Sequence, residues 1–284
     1  MIRRALAWVL LVVVVFSVVV AFTFPTDTIV RAILDRVPLP DRMQLTFEAA
    51  HLRPNGLRLE QVHVVRPSGR PAFDAEWLRL WPSLWGLWRD HSGRPWSIAA
   101  ATCQGTIDVG IGVGPRGTTP VTVSLEDVEL ASCLPYVLPQ VNAYGRVDGH
   151  ISAVVGPDRP ASEGTLDLRA AAWKPGGPLD DVALRADAGT LVWRLADGRL
   201  ELTRLAARST DFEATGSGLM RLLTPIDDSL LDVRVAITPG RTMPPLLRRY
   251  FEALTATTPD AQGTRTFRLQ GTLRDPSLVA PGRP

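Results

Sequence analysis

Lysine is almost missing from this chain: Lys174 is the only one, and arginine supplies the rest of the 31 basic residues. Against 29 acidic residues the formal net charge is only +2, so no strong field steers nucleic acid or an acidic substrate toward it. No arginine run alternates with aromatics, which excludes a nucleic-acid groove of the usual build. Histidine is scarce as well. His51, His63, His91 and His150 have no metal-ligand spacing among them. The only cysteines are Cys103 and Cys133, and two thiols with no close histidine make a poor metal site. A G-x-S-x-G nucleophile elbow is absent, and Gly216-Ser217-Gly218 reads as a bend in a strand. Gly110-Ile111-Gly112-Val113-Gly114 has the look of a glycine-rich phosphate loop. Pro115-Arg116-Gly117 then continues as loop where a dinucleotide site needs a helix. The paired acids Asp180-Asp181 and Asp227-Asp228 flank Pro178 and Pro225 and read as solvated turns; Asp211-Phe212-Glu213 reads as an exposed strand face. No catalytic, cofactor-binding or metal-binding residue emerges, and the chain is expected not to be an enzyme.

Apolar residues are plentiful, and they fall into two patterns. The first is an uncharged run from Ala5 to Phe24, preceded by Arg3 and Arg4. A bilayer core of about 30 Å needs about 20 apolar helical residues, and in lipid only a helix satisfies the backbone of a single segment. The residues that follow, Asp27, Arg31, Asp35 and Arg36, bring no positive excess, so the short N-terminus stays in the cytoplasm and the remainder is exported. Trp8, Phe22 and Phe24 suit the two interfaces. A cleaved signal peptide is the competing possibility, with Val19-Val20-Ala21 as its small-residue site. The apolar run is longer than a usual signal core, which favours an uncleaved anchor. Both place the rest of the chain outside the cytoplasm. There two cysteines can pair, and because each ends a strand-like segment a cross-strand Cys103–Cys133 bridge is possible; two buried free thiols are the alternative.

The second pattern is period two. Gln44 to Leu52, the turn Arg53-Pro54-Asn55-Gly56, and then Leu57, Leu59, Val62 and Val64 with one slip in phase read as a hairpin. Phe73 to Leu80 is a third strand. A motif of glycine, any residue, an aliphatic and often an acid then recurs: Gly105-Thr106-Ile107-Asp108, Gly145-Arg146-Val147-Asp148, Gly164-Thr165-Leu166-Asp167, Gly198-Arg199-Leu200-Glu201 and Gly271-Thr272-Leu273-Arg274. Glycine at these points permits bulges and bends. The expected fold is mainly β, a long curved antiparallel sheet with one apolar and one polar face, accompanied by a few short amphipathic helices. Those helices are Pro25 to Arg36, Met243 to Leu254, and a short one after Pro82. The last would carry Trp81, Trp85 and Trp88 on one face. They would either meet a membrane interface or pack on the sheet, and the lack of basic residues in Ser83-Leu84 and Gly86-Leu87 favours packing. The predicted organisation is a cytoplasmic tip and anchor (1–24), a juxtamembrane helix and linker (25–40), a periplasmic β-domain (41–276) and a flexible tail (277–284).

In order and spacing the chain resembles the type II secretion system protein N (GspN) family, itself distantly similar to AsmA-like proteins. Phe22-Thr23-Phe24-Pro25-Thr26-Asp27 looks like the family's anchor exit, and Arg53-Pro54-Asn55-Gly56-Leu57-Arg58-Leu59 with Val62 like its first hairpin. Leu80-Trp81-Pro82-Ser83-Leu84, Gly145-Arg146-Val147-Asp148-Gly149 and Gly164-Thr165-Leu166 resemble its later segments. Phe267 to Leu278 resembles its closing strand. The resemblance implies a single-pass protein of the bacterial inner membrane, bulk periplasmic, accessory to protein export and meeting other secretion-system subunits. The AsmA-like similarity implies a second role, in which an apolar sheet face carries lipid. Neither implies a cofactor or a nucleic-acid partner.

Overall fold

A strand that alternates apolar and polar residues must bury or shelter one face, and a run of such strands joined by short turns pairs into antiparallel ladders. The computed structural model follows this logic. It describes residue 30 and residues 43–53, 56–82, 96–137, 143–156, 160–173, 184–223, 228–243, 245, 248–249, 252, 259–273 and 275–279. Among them fifteen strands form one long antiparallel sheet in which strands follow chain order, apart from the first two, which both pair with the third. Two compact units are distinguished.

The first unit contains β1 (Gln44–Thr46), β2 (Ala49–Arg53), β3 (Gly56–Val65) and β4 (Pro71–Pro82), together with Ile98–Ala100. Leu59 pairs with Leu78, Val62 with Ala75 and Val64 with Phe73. The slip in apolar phase has a backbone cause. Gln61 adopts φ 50°, in the left-handed region, and this resets the alternation so that Leu59 and Val62 both face inward. They meet Phe47, Ala50, Ala75, Ala100 and the helical Val30, with Val62 fully buried. Val30 is the one described residue of the predicted juxtamembrane helix.

The second unit contains β6 (Gly105–Ile111), β7 (Thr119–Glu129), the helix α1 (Leu130–Val137), β8 (Ala143–Val155), β9 (Ala161–Trp173), β10 (Leu184–Ala196), β11 (Arg199–Arg208), β12 (Phe212–Arg221), β13 (Leu230–Pro239), β14 (Arg265–Thr272) and β15 (Pro276–Val279). The remaining strand, β5 (Trp96–Thr102), is divided between the units. Gly110 and Ile111 end β6, and Gly112 to Thr118 form the β6–β7 turn, where Gly112 N–H donates to Pro120 O at 2.7 Å and Gly114 N–H to Thr118 O at 2.8 Å. It is a hairpin connection in which the N–H groups of Gly112, Gly114 and Thr118 are taken by its own backbone.

Bulges keep the apolar side chains in phase, but glycine is not their general cause. Gly145 (φ 119°) faces Ala170 (φ 48°) where the β8–β9 register shifts. In β7 the extra residue is Asp127 (φ 53°), which brings Leu125 and Val128 to the same face. The β10–β11 and β11–β12 ladders shift around Thr203, which returns its hydroxyl to Val192 O at 3.0 Å.

Three sequence expectations change. Trp81 lies on β4, not on a helix, because Trp77, Arg79 and Trp81 continue that strand's alternation. Cys133 lies on α1, which was not anticipated, so its bond to Cys103 is not cross-strand. Ser277 to Val279, assigned to a free tail, pair with β14. The predicted helix at Met243 to Leu254 is described at Pro245, Arg248, Arg249 and Glu252, all helical and exposed. Ala5–Phe24, Trp85 and Trp88 lie outside the described residues. Among the described residues no helix is long and apolar enough to cross a membrane.

Candidate functional site: an open apolar sheet face

Register assembles one unbroken apolar row across nine strands of the second unit. Ile107 pairs with Leu125, Leu125 with Gly149 and Gly149 with Leu166. Leu166 then pairs with Leu191, and Leu191 with Leu205. Leu205 pairs with Gly216, Gly216 with Val235 and Val235 with Phe267. From β6 to β14 the row crosses eight inter-strand steps, which at about 4.8 Å each makes roughly 38 Å. That exceeds the hydrocarbon thickness of a bilayer, about 30 Å.

The opposite face is polar in step with it. A neighbouring row runs Asp148, Asp167, Thr190, Ala206, Thr215, Ala236 and Thr266.

All nine residues of the apolar row are half-buried, none buried. Side chains lie along the sheet surface and cover its glycines. A Cβ at Gly149 would sit 2.4 Å from Leu166 Cδ2, one at Gly164 2.4 Å from Trp193 Cζ2, and one at Gly216 3.1 Å from Leu205 Cδ2. This packing smooths the face without sealing it. Buried apolar side chains among the described residues from Ala101 onward are Val128, Val147, Ala214 and Met243. An apolar surface of this extent is uncommon in a protein that needs no partner for it.

Several charged groups pair with one another across the strands. Asp127, at the β7 bulge, pairs with Arg146 and with Arg169 at 3.2 Å, and its N–H donates to Asp148 Oδ1 at 2.9 Å. The bulge thus carries its own cluster, pinned on β8 and β9. Arg268 donates to both oxygens of Asp232. That hydrogen bond holds the Asp232 carboxyl below its ordinary range, and desolvation opposes it. His63 meets Asp74 at 2.7 Å on the exposed face of β3–β4. His150 lies within 3.3 Å of the Ser124 hydroxyl.

The guanidinium of Arg79 lies 5.1 Å from the Trp81 ring and that of Arg58 5.4 Å from Trp77, so these tryptophans serve a cation–π ladder on β3–β4. Cys103, in the turn between β5 and β6, is bonded to Cys133 on α1, with Cα atoms 5.3 Å apart. The bond ties α1 to that turn, and the Glu129 N–H, at the end of β7, donates to Cys103 O at 2.9 Å beside it. Among the described residues no three His, Cys, Asp or Glu side chains converge as a metal site.

Alternation made the apolar face legible in the sequence, but its openness was not, since openness depends on what packs against it. The Asp127 cluster was missed; its one signal was the break in alternation at Glu126-Asp127. Set beside known proteins, the chain matches no family model, no curated protein and no solved structure.

Proposed function

We propose that this chain is a binding protein of the bacterial envelope, held in the inner membrane by Ala5–Phe24, whose apolar sheet face takes up the acyl chains of lipid. The continuous row from Ile107 to Phe267, half-buried at every member, carries the proposal. Water against such a row is unfavourable by about 25 cal/mol for each Å² of apolar surface, so an apolar ligand lying along it gains that amount. A face made of interchangeable leucines and valines selects for apolarity and length, which suits a carrier better than a catalyst.

Native mass spectrometry of the full chain in mild detergent tests this reading. Co-purified lipid is expected, and it should be lost when Leu166 and Leu191 are both changed to Asp. A parent chain that carries no lipid would sink it.

The resemblance to the secretion protein N family supports a second setting for the same face, as an accessory to type II secretion. The observation in its favour is the order of the resembling segments from Phe22 to Leu278. Co-purification of secretion subunits at native expression is expected there, and their absence would remove that setting while leaving lipid binding untouched.

A further inference from the structure

The polar side of β10 to β13 holds a depression of about 590 Å³. It lies entirely within the second unit and faces away from the apolar row. Its floor is low because alanines occupy polar-row positions: Ala206 pairs with Thr215, and Thr215 with Ala236. Its walls carry three arginines, Arg204, Arg208 and Arg234, against one acid, Glu213.

The three arginines are not equivalent. Arg208 is paired with Glu213 at 3.0 Å. Arg204 and Arg234 have no carboxylate within ion-pair distance among the described residues. Asp232, two residues from Arg234 and in its field, gives both carboxylate oxygens to Arg268. The side-chain hydroxyls of Thr215 and Ser217 also lie in the depression and make no hydrogen bond among the described residues. Backbone geometry sets Arg204: the extra residue Thr203 shifts the register so that Arg204 pairs with Val192 on the polar face. Ser217 and Arg234 are direct cross-strand partners.

We propose that this depression binds a phosphate-bearing anion. Two uncommitted guanidinium forks that line one depression, from β11 and β13 on either side of Ser217, offer paired N–H donors to the oxygens of one phosphate. Neighbouring hydroxyls donate to the remaining oxygens. Both arginines are exposed, so each contact is screened by salt and affinity is modest. Two sources share this chemistry, a free phosphate ester and the headgroup of a phospholipid.

Isothermal titration calorimetry on the full chain, in a detergent without phosphate and at low salt, distinguishes them. The probes are inorganic phosphate, glycerol 1-phosphate, and dihexanoyl phosphatidylglycerol below its micelle concentration. Arg204→Gln and Arg234→Gln should each weaken binding by about tenfold, and Arg116→Gln, on the β6–β7 turn, should leave it unchanged. Binding of the two soluble anions with this arginine dependence supports a free ester as ligand. Binding of the short-chain lipid alone, with the same dependence, supports a headgroup. No binding of any probe, or binding indifferent to Arg204 and Arg234, overturns the site. Short-chain lipid bound equally by parent and variants would do so while leaving the apolar face as its locus. Circular dichroism of the variants should match the parent, since both side chains are exposed.

Discussion

Replacing Val62 by alanine measures how well the first unit is sealed, and the same logic then measures how open the second unit's face is. Val62 is 0% exposed among Phe47, Leu59 and Ala75. Losing two methyl groups removes about 1.5 kcal/mol of transfer free energy. A cavity of about 50 Å³ adds about 1 kcal/mol at 24 cal/mol per Å³. Val62→Ala should therefore cost about 2–3 kcal/mol. Val155→Ala, at a residue 52% exposed, should cost under about 0.5 kcal/mol. Leu166→Ala is the informative third variant. In a closed core it would cost about 2–5 kcal/mol, but on a half-exposed face about 1 kcal/mol. Urea denaturation of the full chain followed by far-ultraviolet circular dichroism reads all three. Val62→Ala as mild as Val155→Ala would refute the sealed core; Leu166→Ala as costly as Val62→Ala would refute the open face.

Two further outcomes follow from the bonded and ion-paired groups. With Cys103 and Cys133 30 positions apart in the sequence, chain-entropy arguments assign their bond about 3–4 kcal/mol; the intact mass of the chain purified without reductant should rise by two hydrogens on reduction, and an unchanged mass would show free thiols. Asp232 has its pKa lowered from 3.8, chiefly by the Arg268 hydrogen bond. A depressed folded-state pKa contributes stability that is present above the unfolded value and lost as pH falls through the folded one. Asp232→Asn should thus be slightly destabilising at neutral pH, the pair being half exposed. The gap should close below the folded-state pKa, and a gap that ignores pH would place the effect elsewhere.

Alternation carries long-range information here because register copies it from strand to strand. Leu166, Leu191 and Leu205 could each be assigned a face from their own segments, and pairing aligned them into one row. The slip between Leu59 and Val62 was visible as a pattern, but its cause, Gln61 in the left-handed region, was not, since glutamine has no preference for that conformation. Helix α1 escaped notice because Leu130 to Val137 is short and contains Pro135, a residue that argues against a helix interior. Trp81 misled by sharing spacings of three and four with Leu84, Trp85 and Trp88, while Trp77 and Arg79 place it on a strand by period two. The depression that holds Arg204 and Arg234 was beyond reach, because those residues share it only through the β11 bulge and two further ladders.

The central claim is that the apolar face, and not its polar reverse, holds lipid. Leu166 and Thr165 are adjacent on β9 and point to opposite faces. A photo-crosslinking amino acid placed at each position in turn, in the full chain incubated with phospholipid vesicles, tests the claim directly. Lipid adducts at position 166 and none at 165 are expected; adducts at both positions alike, or at neither, would contradict it.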